Sequence, residues 1–148
     1  MPDLILAIFH HILVFSLFGV LFAELVLVRR GMDLATVSRV SRIDLMYGAL
    51  AGLIILVGFS RAVFAAKGWT YYAHNIFFHA KIATFVLIGV LSIPPTLDYI
   101  RWRRAGTAPS DPQVASVRRL LWIEMALFPA LLAFAAAMAR GYGELPIH

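Results

Sequence analysis

The chain has 148 residues, of which 61% are hydrophobic and only 14% charged, with a formal net charge of +5. A soluble domain of this size does not read that way, and at roughly 20 residues per crossing, four membrane spans and their connectors use nearly the whole length. With no cysteine, disulfides, iron–sulfur clusters and thiolate metal sites are excluded, so any metal or cofactor must be held by His, carboxylate, Lys, Tyr or Met.

Four apolar stretches, near residues 4–28, 47–65, 76–97 and 120–138, have the length a bilayer demands. Between the first two, the segment from Asp33 to Asp44 sets Leu34, Val37 and Val40 or Ser41 at helical spacing with Arg39 and Arg42 on another side, which predicts a short interfacial helix. Pro94 and Pro95 are expected to kink or end the third span, and Pro129 to bend the fourth. The proline-containing loop 106–112 is the most flexible connector expected. The two halves share no residue pattern. The fold class expected is all-α: one transmembrane domain over residues 1–148, an integral membrane four-helix bundle.

The basic residues collect at the ends of apolar segments, which is a membrane-topology pattern and gives no reason to invoke nucleic acid. Arg29, Arg30, Arg39 and Arg42 separate spans one and two, and Arg101, Arg103, Arg104, Arg118 and Arg119 separate spans three and four. The remaining connector holds only Lys67. The positive-inside rule then puts both arginine-rich loops in the cytoplasm and both termini outside, with Trp69, Tyr71 and Tyr72 as an outer aromatic belt. No Lys or Arg precedes the first apolar run, which is also too long for a signal-peptide core, so it is expected to stay as a span.

Ionisable residues inside the spans are where function is to be sought. They are His10, His11, Glu24, Arg61, His79, Lys81 and Glu124. At about 1.5 Å per residue, His10, Arg61, His79 and Lys81 all lie roughly 5 to 9 Å below the outer ends of their helices, whereas Glu24 and Glu124 share an inner level. Asp44 and Asp98 are placed nearer the cytoplasmic boundary. His10 and Glu24 fall within about 40° of one another on span one, whereas His79 and Lys81 are about 200° apart on span three. Only one of that last pair can face the bundle centre, and the sequence leaves open which.

Imidazoles on facing helices at one depth are a usual way to hold a b-type haem, with Arg and Lys pairing its propionates. His10 or His11 with His79 would be the ligands, Arg61 and Lys81 the counter-charges, and Gly48, Gly52 and Gly58 would let a porphyrin lie near the span-two backbone. The same residues admit plainer roles. The glycines suit ordinary helix packing, His11 can snorkel, Arg61 and Lys81 can pair with neighbouring carboxylates, and the loop arginines need only orient the chain.

Several stretches resemble known families. FHHILVFSLFGVLFAELVLVRR (9–30), FFHAKIATFVLIGVL around Lys81 and RRLLWIEMALFPALL in span four resemble the HemJ-type protoporphyrinogen oxidases. DLMYG (44–48), GFSR (58–61), YYAHNIFFHAK (71–81), PPT (94–96) and ARG (139–141) resemble an uncharacterised family of bacterial four-helix membrane proteins related to HemJ and CopD. The resemblance implies a bacterial inner-membrane protein that binds haem b, with a first-span His and a third-span Lys as functional residues, here His10 and Lys81. A CopD likeness implies copper handling, although Met46, Met125 and Met138 stand singly, with no methionine-rich relay for Cu(I).

The leading expectation is therefore a membrane oxidoreductase or redox relay. His10 and His79 hold haem or metal near the outer face, Arg61 and Lys81 neutralise propionates or an anionic porphyrin or other small-molecule substrate, and Glu24 or Glu124 carries protons inward. The alternatives are a binding or transport module for an anion or a metal such as copper, and a structural accessory subunit or homo-oligomer joined through the span-two glycines. All of them have the lipid bilayer as a partner.

Overall fold

The computed structural model describes residues 2–64 and 68–145, with side chains from residue 4 onward. Ala65, at the expected end of span two, and Lys67 in the following connector lie outside the described residues. The chain is all-α: α1 (Pro2–Leu27), α2 (Leu34–Phe64), α3 (Gly68–Ala73), α4 (Ile76–Ala105) and α5 (Asp111–Ala139). Four of these, α1, α2, α4 and α5, are long and apolar enough to cross a membrane.

Three spanning helices are longer than the apolar runs that define them. α2 begins at Leu34, α4 continues to Ala105 and α5 begins at Asp111. At 1.5 Å per residue, a helix of about 30 residues reaches roughly 45 Å, the thickness of a bilayer with its headgroup regions. The turns that carry the arginines thus extend the spans beyond hydrocarbon. For the same reason the interfacial segment over 33–44 is helical, as its spacing predicts, but runs into span two without a break. The separate short helix is α3, on the other side of α2. Asp33 starts α2: its Oδ1 accepts the Thr36 amide at 2.8 Å, and that bonding holds the exposed Asp33 carboxyl below the ordinary aspartate value.

Pro94 and Pro95 sit inside α4, and Pro129 inside α5, without ending either helix. A proline in a soluble helix forfeits an amide donor and crowds the preceding turn, but in a membrane neighbouring helices and hydroxyl side chains accommodate the change. Here Ser92 Oγ donates to Gly89 O at 2.7 Å on one side of the Pro-Pro step, and on the other Thr96 Oγ1 lies 3.0 Å from Ser92 O. α4 stops at Gly106, whose φ of 62° is the left-handed cap conformation that glycine adopts without strain.

α1 packs chiefly on α2 and α4 on α5, while α2 with α4 and α1 with α5 close the ring. α1 and α4 are therefore one diagonal, and α2 and α5 the other. The core is apolar along its middle, where Leu17, Ile54, Ile88 and Leu131 meet with Leu13, Leu21 and Phe128. Long aliphatic and aromatic side chains such as Phe15, Leu45, Leu56 and Val90 point outward, which suits a surface solvated by lipid tails.

The two loops between α1 and α2 and between α4 and α5 share one end of the bundle. There Arg118 of α5 donates through Nη1 to Leu25 O at 2.8 Å and also to Val28 O. It supplies a cation to carbonyls left without a helical partner at the α1 C-terminus, where the helix dipole is negative. That role exceeds the orientation function the sequence reading assigns to the loop arginines.

The opposite end is tied by Asn75. Its backbone is extended, its Oδ1 accepts from Phe77 N at 2.9 Å and Phe78 N at 3.3 Å to cap α4, and its Nδ2 donates to Tyr142 O at 3.0 Å. Ile76 N donates to Gly143 O and Leu145 N to His74 O, so the segment after α5 is stitched to the start of α4. Gly143 is at φ 78°, and a Cβ there would lie 2.5 Å from the Phe77 ring. Asn75→Ala is expected to lower unfolding stability by about 1 to 2 kcal/mol through the lost cap, and Gly143→Ala to lower it further. Thermal unfolding of the detergent-solubilised variants, followed by intrinsic fluorescence, measures both.

Candidate functional site

Two polar clusters occupy the bundle interior, one toward each end. At the end away from the arginine-rich loops, a cavity of about 40 Å³ is lined by His10, Gly58, Arg61, Tyr72, Lys81 and Met138, with Ala62 and Phe78. His10 comes from α1, Gly58 and Arg61 from α2, Tyr72 from α3, Lys81 from α4 and Met138 from α5. Its size allows roughly three water-sized groups.

Lys81 faces this cavity, which settles the choice left open by its 200° separation from His79. Its Nζ lies 5.6 Å from the centroid of the buried Phe78 ring, a cation–π distance. His79 is exposed and does not line the cavity; its Nε2 donates to Ala73 O at 2.9 Å, closing the turn from α3. His11 is also exposed, with Nδ1 2.6 Å from Ala7 O. The expected pairing of His10 or His11 with His79 is therefore not assembled. Among the described residues no three His, Cys, Asp or Glu side chains form a metal-holding group.

His10 packs on α2 at Gly58, where an added Cβ would lie 3.4 Å from the imidazole Cε1. Its Nδ1 is buried without a hydrogen-bond partner. Gly48 and Gly52, expected to share this seam, face outward, and a Cβ on either meets nothing within 4 Å. The aromatic run expected only as an interfacial anchor divides its work. Trp69 is exposed, Tyr71 donates to Met138 O at 3.0 Å, and Tyr72 turns into the cavity.

The donor set is chemically suited to a haem, with one unpartnered imidazole nitrogen and two cationic side chains. The space is not: pockets that enclose drug-sized ligands run to roughly 300–1,000 Å³, against about 40 Å³ here. A porphyrin does not fit this closed arrangement of helices.

The second cluster lies toward the arginine-rich end and draws on all four spans. Glu24 of α1 accepts from the Tyr99 hydroxyl of α4 at 3.2 Å, and Glu124 of α5 accepts from the Tyr47 hydroxyl of α2 at 3.0 Å. Both bonds cross bundle diagonals. Asp44 of α2 accepts from Thr96 Oγ1 of α4 at 2.8 Å. Glu24, Glu124 and Tyr99 are 1%, 0% and 0% exposed. The second oxygen of each glutamate, Oε1, has no partner. None of the three carboxyls is paired with a basic side chain among the described residues; of the loop cations, Arg103 is engaged with Ser41 Oγ and Arg101 with Asp98.

Sequence reasoning placed Glu24 and Glu124 at one level but assigned Asp44 to the boundary and missed Tyr47, Thr96 and Tyr99. The signal was there: Asp44 with Tyr47 and Thr96 with Tyr99 are polar pairs at i and i+3 inside apolar helices, one helical face each. An ionised carboxylate without a counter-charge in such surroundings costs several kcal/mol. Three together do not arise from packing convenience.

A model of the family described as "Predicted membrane protein (DUF2214)" matches residues 2–143. The chain belongs to that family. The match covers every span and both polar clusters. No curated protein and no solved structure matches the chain.

Gly58→Leu is expected to push His10 from its seat and destabilise the bundle by about 1 to 3 kcal/mol through overpacking, whereas Gly48→Leu and Gly52→Leu, both toward lipid, leave stability unchanged within about 0.5 kcal/mol. Unfolding midpoints of the three variants in one detergent make the comparison.

Proposed function

We propose that this DUF2214 protein is a ligand-binding membrane module that takes a small anionic group, a carboxylate or a phosphate, into the pocket of His10, Arg61 and Lys81. The observation that carries the reading is the lining itself. Three nitrogen-bearing side chains from three spanning helices share one small cavity, and among the described residues that line it there is no carboxylate. Arg is always charged, and a guanidinium beside an ammonium in a low-dielectric site repels it, so an anion between them offsets the repulsion and gains from both. The cavity volume suits a group of a few atoms rather than a whole metabolite, with the rest of the ligand lying toward the membrane surface. By the positive-inside rule that surface is the outer one, and the protein sits in a bacterial inner membrane with its arginine-rich loops in the cytoplasm.

A second reading, haem b binding with redox chemistry, draws support from one specific atom: the unpartnered, buried Nδ1 of His10. The motif likeness to HemJ- and CopD-type proteins belongs with it. It requires α1 and α2 to part at Gly58, and with His79 turned outward it leaves His10 as the single imidazole ligand.

Thermal unfolding of the purified protein against a panel of simple carboxylates and inorganic phosphate separates the two. The anion reading expects stabilisation of about 2.7 kcal/mol at a hundredfold excess over the dissociation constant, lost in Arg61→Ala and Lys81→Ala and seen in a colourless protein. Absence of stabilisation by any of these anions contradicts it. Haem supplied to the same preparation yields a Soret band that His10→Ala shifts or abolishes under the second reading, and no band under the first.

A further inference from the structure

The anion pocket leaves the Glu24, Asp44 and Glu124 cluster without a role, although these are the most deeply buried carboxyl groups among the described residues. We infer that this cluster is a proton-binding site, loaded and emptied from the arginine-rich end of the bundle.

The groups facing one another come from every spanning helix: Glu24 on α1, Asp44 and Tyr47 on α2, Thr96 and Tyr99 on α4, and Glu124 on α5. Each tyrosine hydroxyl donates to one glutamate oxygen and leaves the other, Oε1, fully enclosed and unpartnered. An enclosed carboxylate oxygen with neither donor nor cation is the position a proton fills at least cost, because the resulting carboxylic acid is neutral. Of the cations on neighbouring turns, Arg103 is turned to Ser41, Arg101 to Asp98 and Arg118 to the carbonyls of Leu25 and Val28, and Arg42, two residues before Asp44, is exposed. Among the described residues, no metal-holding group of three such side chains is present to substitute for protons.

The direction of exchange follows from what lies on either side. Toward the anion pocket the core is closed by Leu13, Leu17, Leu21, Ile54, Ile88, Phe128 and Leu131, all buried, and that apolar stretch from Glu24 to His10 spans about 21 Å of helix rise. Toward the arginine-rich end, Ser41, Asp44 and Tyr47 follow one another at i, i+3 and i+6 along one face of α2. The Ser41 hydroxyl at the start of this stripe accepts from the exposed Arg103. Asp44 is thus the carboxyl nearest solvent and the member that passes protons to the two glutamates. Each proton taken up converts one carboxylate to a carboxylic acid and comes from water at that end, to which it returns on release.

Infrared difference spectroscopy of the full chain in phospholipid vesicles tests this. The expected result is a protonated-carboxyl C=O band at neutral pH that shifts on transfer to D₂O and loses intensity in Glu24→Gln and Glu124→Gln. Tyr47→Phe and Tyr99→Phe keep the carboxyls and move the band to higher frequency, which covers the case in which a glutamine variant fails to fold. Asp44→Asn is expected to slow the D₂O shift of the remaining bands. A spectrum with no protonated-carboxyl band at neutral pH, or a band unaffected by all four glutamate and tyrosine variants, overturns the proton site. An Asp44→Asn protein that exchanges as fast as the wild type overturns the entry route.

Discussion

Two hydrogen bonds from tyrosine to glutamate, each crossing a diagonal of the four-helix ring, are the constraint on which this bundle depends. Lipid tails are as apolar as leucine, so burial of aliphatic side chains does not by itself choose which face of a membrane helix turns inward. A polar group on that face does, because leaving it in hydrocarbon is costly. Tyr99 with Glu24 and Tyr47 with Glu124 orient α4 against α1 and α2 against α5, and Thr96 with Asp44 adds a lateral tie between α2 and α4.

Orientation at one end sets orientation at the other. At about 100° per residue, Lys81 and Tyr99 are 18 positions apart and on the same face of α4, while Gly58 is about 20° from Tyr47 on α2 and His10 about 40° from Glu24 on α1. Turning the acidic residues inward near the arginine-rich end therefore turns His10, Gly58 and Lys81 inward near the other, and the cavity they line follows. The price is two sets of unlike polar groups inside one membrane bundle, kept apart by the Leu17, Ile54, Ile88 and Leu131 layer. Separation keeps Glu24, Asp44 and Glu124 from pairing with Arg61 and Lys81 across the core.

Much of this was legible in the sequence where the signal was local. Apolar length gave four spans, arginine position gave the shared end of two loops, and rotation along α1 correctly put His10 and Glu24 on one face. What was not legible was the partner across space. The His79 and Lys81 alternative could not be closed, because both choices obey the helical period; it is closed by the turn from α3, where Ala73 O accepts a hydrogen bond from His79 Nε2. Gly48, Gly52 and Gly58 look alike in the chain, but their 10-residue spread rotates Gly58 alone toward α1. The tyrosines were overlooked because Tyr in a membrane protein suggests the interface, whereas Tyr47 and Tyr99 are 4% and 0% exposed. The continuous α2 was missed because charge suggested an interface where the helix merely emerges from hydrocarbon.

The most direct check on the diagonal constraint is a set of double-mutant cycles on unfolding stability in detergent, combining Tyr47→Phe and Tyr99→Phe with Glu24→Gln and Glu124→Gln. Coupling of about 0.6 to 1.7 kcal/mol, the range for hydrogen bonds between membrane helices, is expected for Tyr47 with Glu124 and for Tyr99 with Glu24. The crossed combinations, Tyr47 with Glu24 and Tyr99 with Glu124, are expected to couple more weakly than the diagonal pairs, because no hydrogen bond joins them. Equal coupling in all four combinations, or none in the diagonal pairs, would contradict the arrangement from which both clusters take their form.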